Sequence, residues 1–402
     1  MPQYYFILGK NPKLSLAELD QALQTRAITS EVVARASDYC ILETKEELNL
    51  VELLQHLGGT LKAGQILEGL SSRDEVQSIC ANVDWAEKKL PLTKHRAEFG
   101  ISVYGTKKSG PLSKRYGLGL KKALQSIGHS VRMIFDPSGQ LSSVTVAKNG
   151  LLSKGFELCV LESATQHWLG LSQAVQSFRK FSERDYGRPD RDARNGMLPP
   201  KLALMMLNIA GAKSGSVVLD PFCGSGTVLQ EALLLGCKKV YGSDISEKAV
   251  KDSQNNVQWL STQEKSIGTV QIRKVDARQL RPTYVAESVD VIVTEPDLGP
   301  PRPARNEEQI EERRQEAIAL YRSFLSSATK VLKANGRVVM AWPVWSLQDT
   351  RYHLHPKKIL PDGWTLLWPY GDLVSQDGEK TLLYERPGQF VAREIVILSP
   401  NK

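Results

Sequence analysis

The apolar residues of this 402-residue chain gather in short β-branched, leucine or aromatic runs, set off by turn residues and by longer stretches where apolar positions recur at helical spacing. Tyr4-Tyr5-Phe6-Ile7-Leu8 reads as an opening strand and Asn11-Pro12 as a turn. Ser15-Leu16-Ala17-Glu18 has the form of a capping box, serine followed three positions later by glutamate, and predicts a helix through about Gln24. Val32 to Ala36 and Tyr39 to Thr44 predict a β pair, followed by a helix near Leu48 to Leu57, a strand near Thr60 to Leu67 and a helix over Ser72 to Asn82. Val131 to Phe135, Val144 to Val146 and Glu157 to Leu161 predict further strands, with a turn at Asp136-Pro137-Ser138-Gly139.

The alternation over residues 1–70 predicts a small ferredoxin-like α+β unit, and residues 71–165 a second module. Ser182 to Arg194, rich in charge and carrying Gly187 and Pro189, predicts an exposed linker within 166–195. Over 196–402 the pattern changes. An apolar helix, Leu202 to Ile209, precedes strands at Val217 to Leu219, Lys239 to Asp244, Val270 to Val275 and Val289 to Thr294, with helices at Thr227 to Leu235 and Lys248 to Leu260 between them. A charged helix from about Glu307 to Ala334, a fifth strand at Arg337 to Ala341 and two more strands within Trp364 to Leu398 complete an α/β pattern.

The most informative stretch is Val217 to Thr227, where a buried strand breaks into a glycine turn and then a helix. Gly224 and Gly226 carry no Cβ, so the chain can bend sharply and a ligand can approach the main chain beside a helix N-terminus. A dinucleotide fingerprint would need a small residue where Leu229 stands, and no lysine is placed to make a phosphate loop, which argues against a pyrophosphate reader. The second strand ends in Asp244, suited to a ribose diol, the third runs into Asp276-Ala277 and the fourth into Glu295-Pro296. Ligands of open α/β sheets bind beyond the carboxyl ends of the strands, so these tips are expected to form one crevice for an adenosine without a diphosphate. On the residues alone, another nucleotide-binding domain or a purely structural turn stays open.

Charge adds a second expectation. The formal net charge is +8, and residues 88–132 hold Lys88, Lys89, Lys94, Arg96, Lys107, Lys108, Lys114, Arg115, Lys121, Lys122 and Arg132 against Glu98 alone. Apolar strand residues Phe99, Ile101 and Val103 would fix these cations on a folded surface, where a phosphate backbone is the natural counterpart and a solvated basic face the plain alternative. Five cysteines show no Cys-x-x-Cys pair, so no metal site is expected. With no signal peptide and no run of membrane-spanning length, a cytoplasmic protein is the expectation.

Asp220-Pro221-Phe222-Cys223-Gly224-Ser225-Gly226-Thr227, with Ser243-Asp244-Ile245, Asp276-Ala277 and Glu295-Pro296, resembles class I S-adenosylmethionine-dependent methyltransferases that modify exocyclic amines. The opening Ile7 to Leu19 is similar to the start of the THUMP-containing tRNA guanine-N2 methyltransferases that act on guanosine 10, and residues 71–165 resemble a THUMP RNA-binding domain. The resemblance spans nearly the whole chain. It implies a seven-stranded, Rossmann-like, mostly parallel sheet with one antiparallel strand over 196–402, S-adenosylmethionine as cofactor, tRNA as partner and, as in some relatives, a small activator subunit. It places Asp220, Phe222, Gly224 and Gly226, with Cys223 and Thr227 between and beside them, at the methionine end. Asp244 falls on the ribose, Ile245 on adenine, and Asp276 with Ala277 at the adenine amine.

The same resemblance puts the Asn195 to Lys201 turn near the methionine end, against the simpler reading of a helix start with proline in its first turn. Relatives carry an Asp-Pro-Pro-Tyr-like motif after the fourth strand, where this chain has Glu295-Pro296-Asp297-Leu298-Gly299. Glu295 and the Pro296 carbonyl are then the expected acceptors for the amine hydrogens, with Asp297 as a second carboxylate. Leu298 replaces a stacking aromatic, leaving Trp342 or Trp345 as base platform or as core. An RNA-binding protein without turnover, and a methyltransferase acting on DNA amines, remain alternatives.

Overall fold

The computed structural model describes residues 1–92, 96–191, 197–264, 268–300, 302–368, 370, 381–386 and 388–401. The chain divides into two compact units, one made of Met1–Pro12 and Ala27–Phe178, the other of Lys13–Arg26 and Arg179–Lys402.

In the first unit, strands β1 (Gln3–Leu8), β2 (Ser30–Arg35), β3 (Tyr39–Thr44), β4 (Thr60–Leu70), β5 (Arg96–Tyr104), β6 (Ser130–Ile134), β7 (Gly155–Glu162) and β8 (His167–Val175) form one sheet in the order β2-β3-β1-β4-β8-β7-β5-β6. Its central strands read as near-continuous apolar runs because both faces are covered, and Phe99 stacks on Phe156 at 5.6 Å in the core. Buried Glu157 is fully partnered there. Lys62 lies 2.5 Å from it, and Ser102 and Ser172 donate to its two oxygens at 2.6 and 2.7 Å.

Two local expectations fail in this half of the sequence. Val144 to Val146 lie in a helix, Ser143–Lys148, because Ser142 accepts a hydrogen bond from the Thr145 amide and caps it; β-branched content alone does not make a strand. The helix expected to start at Ser15 begins at Pro12, with proline in the first turn, where it lacks nothing by having no N–H. Ser15 and Glu18 are therefore interior positions. Glu18 accepts from Asn208 Nδ2 at 2.8 Å instead of capping. That helix belongs to the second unit.

The second unit holds β9 (Val217–Asp220), β10 (Lys239–Asp244), β11 (Thr269–Lys274), β12 (Val289–Thr294), β13 (Leu332–Leu347), β14 (Thr350–Tyr352), β15 (Trp364–Leu367), β16 (Leu383–Tyr384) and β17 (Val391–Pro400). Seven of them run in the order β11-β10-β9-β12-β13-β17-β15, parallel from β11 to β13, with β17 antiparallel to both its neighbours. This is the Rossmann-like sheet expected, with β14 and β16 added at its margins. The order reverses between β9 and β12, which opens a crevice at their carboxyl ends.

Trp342 and Trp345, each about 1% exposed, sit in the core with Tyr321, Phe324 and Ile310, so neither is a base platform. The long helix stops at Ala328, and β13 starts at Leu332, earlier than the expected Arg337. Among the described residues no helix is long and apolar enough to cross a membrane.

Of the stretch expected to be an exposed linker, residues 182–191 are mostly exposed and 192–196 lie outside the described residues, but the segment also contains regular structure and two buried arginines. His167–Val175 is a strand of the first sheet, and Arg184 and Arg188 are buried in the second unit. Arg184 Nε and Nη2 pair with the two Glu231 oxygens at 2.6 and 3.1 Å, while Arg188 donates to Thr227 Oγ1 at 2.7 Å. Arginine and glutamate read as surface residues by composition, and only the tertiary pairing of Arg184 with Glu231 across 47 positions makes burial tolerable.

Candidate functional site

The glycine turn is held from three sides. Gly224 and Gly226 adopt φ of +50° and +82°, a region open to glycine, and Gly226 precedes the helix Thr227–Leu234. A Cβ on Gly226 would stand 2.7 Å from Ser253 Oγ. Cys223 N donates to the Ser243 carbonyl at 2.9 Å, and Asn256, buried on the helix Glu247–Gln263, donates to the Ser225 carbonyl at 2.8 Å. The strand–turn–helix read from the sequence is thus fixed at the carboxyl end of β9. Burial and the nearby Asp220 push the Cys223 thiol well up, which leaves it protonated and unreactive.

Acids line the strand tips. Asp220, 2% exposed, accepts from Thr294 Oγ1 at 2.6 Å and from the Phe222 amide at 3.2 Å. Burial pushes its carboxyl up to about 7, with Asp244 and Glu295 adding to the rise. Asp244 accepts from the Gly224 amide at 3.1 Å and the Ser246 amide at 2.9 Å. Asp276 caps the short turn Ala277–Gln279 and is paired with Arg278 at 2.6 Å, which holds it below the usual carboxylate range.

The Asp220 shift has a signed consequence. Between its unfolded value of 3.8 and about 7 the folded chain keeps a proton that the unfolded chain has shed. This contribution to stability is complete at low pH and is lost as pH rises through about 7. An Asp220→Asn variant, which keeps an acceptor oxygen, should gain in melting temperature relative to the parent as pH is raised from 4 to 8. A gap that stays constant across that range would rule out the shift.

Glu295 leaves β12 directly into the crevice. Arg393 on β17 engages it with two donors, Nε to Oε2 and Nη2 to Oε1, the latter at 3.0 Å. Asp297, exposed, accepts from the Gly299 amide at 2.9 Å, and its carbonyl accepts from Tyr321 OH at 2.8 Å, which fixes the loop after Pro296. Leu298 packs on the core that contains the two tryptophans.

These elements enclose a cleft of about 640 Å³. It is lined by Asp220, Phe222, Cys223, Gly224, Thr227, Asp244, Ile245, Asp276, Ala277, Glu295, Pro296 and Asp297, so the structure brings together every cofactor and acceptor residue singled out from sequence except Gly226, which shapes the turn behind it. Met197 and Leu198 also line it; Asn195 and Gly196 lie outside the described residues. Ile245 is 62% exposed, an apolar side chain left on the lip. Sequence reasoning missed Arg278 and Arg393. The available signal for Arg393 was a lone arginine inside an apolar strand, Val391 to Leu398.

The basic residues map to the first unit. Lys88 and Lys89 close the helix Val83–Lys89, Lys107 and Lys108 precede the helix Ser109–Ser126, and Lys114, Arg115, Lys121 and Lys122 lie along it, with Arg132 on β6. Lys114 with Lys121, and Arg115 with Lys122, are two turns apart and so share a face. Lys89, Arg115 and Arg132 are paired with Glu68, Asp74 and Glu98, at 3.7, 3.3 and 3.2 Å; two of these partners lie outside the window the sequence reading considered. Lys107, Lys108, Lys114 and Lys122 are exposed without an ion pair among the described residues. Lys94 and the Arg96 side chain lie outside the described residues.

Comparison with known proteins adds an independent line. Residues 188–350 match the RMKL-like methyltransferase domain family. The chain is 26% identical over 365 residues to the tRNA (guanine(10)-N2)-dimethyltransferase of Methanothermobacter thermautotrophicus, covering 89% of this chain and 94% of that protein. It is 33% identical over 165 residues to the tRNA (guanine(6)-N2)-methyltransferase of Thermus thermophilus, covering 40% of this chain and 44% of that protein. The crystal structure of TrmN from Thermus thermophilus superposes with a TM-score of 0.57 at 19% identity, covering 99% of both chains, which is a likeness of fold.

Proposed function

We propose that this chain, whose residues 188–350 match the RMKL-like methyltransferase domain family, transfers methyl from S-adenosylmethionine to the exocyclic N2 amine of a tRNA guanosine, guanosine 10. The observation that carries the reading is the convergence, in one cleft, of a glycine cradle, acids at successive strand tips and an acceptor carboxylate at Glu295. The choice of position 10 is supported by the relative that matches over nearly its whole length. On this reading the protein works in the cytoplasm.

The residues present fit the donor. Left-handed glycines beside a helix N-terminus leave room at the main chain, Asp244 stands at the tip expected to face a ribose, and Ile245 offers an apolar face to adenine. Asp220, Phe222, Cys223, Gly224, Gly226 and Thr227 serve the methionine end. Asp276 and Ala277 serve the adenine edge, where Arg278 already holds the carboxylate in place. When bound, S-adenosylmethionine supplies an electrophilic methyl group.

The chain's task is to prepare the acceptor. An exocyclic guanine amine is a weak nucleophile because its lone pair is delocalised into the ring. Hydrogen bonds from its two hydrogens to Glu295 and to the Pro296 carbonyl localise that pair and aim it. Once methylated, the nitrogen is strongly acidic and sheds its proton without a strong base. The tRNA itself is held by cations of the first unit, which supply affinity and register with no base reading.

The test is incubation of the purified chain with donor and unmodified tRNA, followed by oligonucleotide mapping of the methylated position and nucleoside digestion to identify the product. N2-methylated guanosine at position 10 is expected, with addition of a small activator subunit as the second arm. Methylated adenosine, or no transfer in either arm, would overturn the reading. For the RNA interface, the Lys114→Glu, Lys122→Glu double variant should weaken tRNA binding about equally across tRNA sequences and reduce the salt slope by about 2. Filter binding between 50 and 200 mM salt checks it, and an unchanged slope would remove this helix from the interface.

A further inference from the structure

We propose that Arg393 is a positioning residue for this reaction: it clamps the Glu295 carboxylate at the tip of β12 and keeps it turned to accept hydrogens from the incoming amine. The inference rests on the reading of Glu295 as the amine's acceptor. Its grounds are geometric. Arg393 stands on β17 and Glu295 follows β12, with β13 between them. The register sets Arg393 opposite Pro343, and Ala341, two residues earlier on β13, shares that face. These compact side chains leave a path along which the guanidinium crosses a whole strand to reach its partner.

The Arg393 side chain is about 6% exposed and that of Glu295 about 13%, so the pair is largely shielded yet still borders the cleft. Each carboxylate oxygen receives one donor from the fork. Each has a second lone-pair site, so the clamp orients the group without filling it. The orientation matters because glutamate has one more rotatable bond than aspartate, and an error near 1 Å in an acceptor costs about a hundredfold in rate.

The surrounding charges make the guanidinium necessary. Asp220 faces Glu295 from β9, with Asp244 beyond it on β10; Asp297 lies on the same loop, and Tyr321 approaches from the helix Glu307–Ala328. Tyr384 on β16 lies opposite Arg393 and is itself held by Arg386 at 2.5 Å. Among the described residues only Arg393 forms an ion pair with Glu295. Without that cation, three neighbouring carboxylates favour protonation of one of them, and a protonated Glu295 offers a donor where an acceptor is needed.

The experiment compares the full chain with Arg393→Lys, which keeps the charge and loses the fork, and Arg393→Met, which keeps length alone. In the parent, the Arg393 Nε–H signal in 15N NMR should be resolved and slow to exchange at neutral pH, and absent in Glu295→Gln. For transfer to tRNA, Arg393→Met should lower kcat about 30- to 100-fold at pH 7 and move the acid limb of the kcat profile up by about one pH unit. Arg393→Lys should return the limb to its parental place while kcat stays about tenfold low, because charge is restored and geometry is not. Affinity for S-adenosylhomocysteine should stay within about threefold in both.

A role in packing alone would lower melting temperature and activity at every pH without moving the limb, and parallel profiles in both variants would overturn the inference. So would an Arg393→Met enzyme with parental kcat, or a parent without the protected Nε–H signal. A parent that shows the signal but transfers no methyl to tRNA overturns the functional reading, and this inference with it. A parent that transfers normally while Arg393→Met does likewise overturns the inference alone.

Discussion

Glu295→Ala is expected to reduce methyl transfer to tRNA by about 100-fold or more, on the order of 3 kcal/mol of transition-state stabilisation, while S-adenosylhomocysteine binds within about threefold of the parent. The split follows from where the residue stands. Glu295 lies at the tip of β12, apart from the glycine turn after β9; on the proposed reading its loss removes an acceptor for the amine and leaves the glycine cradle intact. The substitution also leaves Arg393, 5% exposed, without its partner, so melting temperature should fall as well. Glu295→Gln separates the two effects: it retains an acceptor oxygen and most of the shape, and should keep more activity than alanine. Single-turnover transfer with saturating tRNA is the measurement. An alanine variant retaining more than about a tenth of parental transfer would move the acceptor role to Asp297 or to main chain alone.

Glu231→Ala should cost about 3–5 kcal/mol of stability in the second unit. Arg184 would then stay buried with its Nε and Nη2 donors unpaired, since its remaining hydrogen bond runs from Nη1 to the Lys180 carbonyl at 3.1 Å. Glu231 lies on the helix Thr227–Leu234 that follows the glycine turn, and Arg188 ties the same helix through Thr227, so donor affinity should decline along with stability. Replacing both partners by apolar residues, Arg184→Leu with Glu231→Leu, should recover much of the loss, because the penalty lies in a single stranded charge. Denaturant titration of the parent, Arg184→Leu, Glu231→Leu and their double variant forms a double-mutant cycle, and a loss below about 1 kcal/mol for Glu231→Ala, measured beside it, would show that water reaches Arg184.

The glycine-turn half of the cleft was legible in the sequence because its determinants are local. Val217 to Thr227 encodes strand, turn and helix in consecutive residues, Asp244 ends its strand, and Asp276 and Glu295 lie within two residues of the ends of theirs. The half around Glu295 was only partly legible. Glu295 announces itself, but Arg393 lies 98 positions away and meets it only through the order of β12, β13 and β17. The same difficulty hides Arg184: polar residues signal surface, and long-range pairing with Glu231 reverses the signal. At Ser15 and Glu18 a motif correct in form was overruled by Pro12, which starts the helix a turn earlier and turns capping residues into interior ones. The Val144 to Val146 run shows the converse, a strand composition captured by a serine cap.

The helix Pro12–Thr25 carries one more implication, for how the polypeptide matures. Residues 13–26 emerge from the ribosome well before the segment from 179 onward, yet their unit is completed only when that segment has been made. Until then Leu14, Leu16 and Leu19 have no finished core to enter, and Asn208 and Arg337, which bond Glu18 and Gln21, do not yet exist. A shortened gene starting at residue 179 would lack a piece of its own core, so cutting this protein at the obvious seam yields an unfinished half rather than a free-standing enzyme.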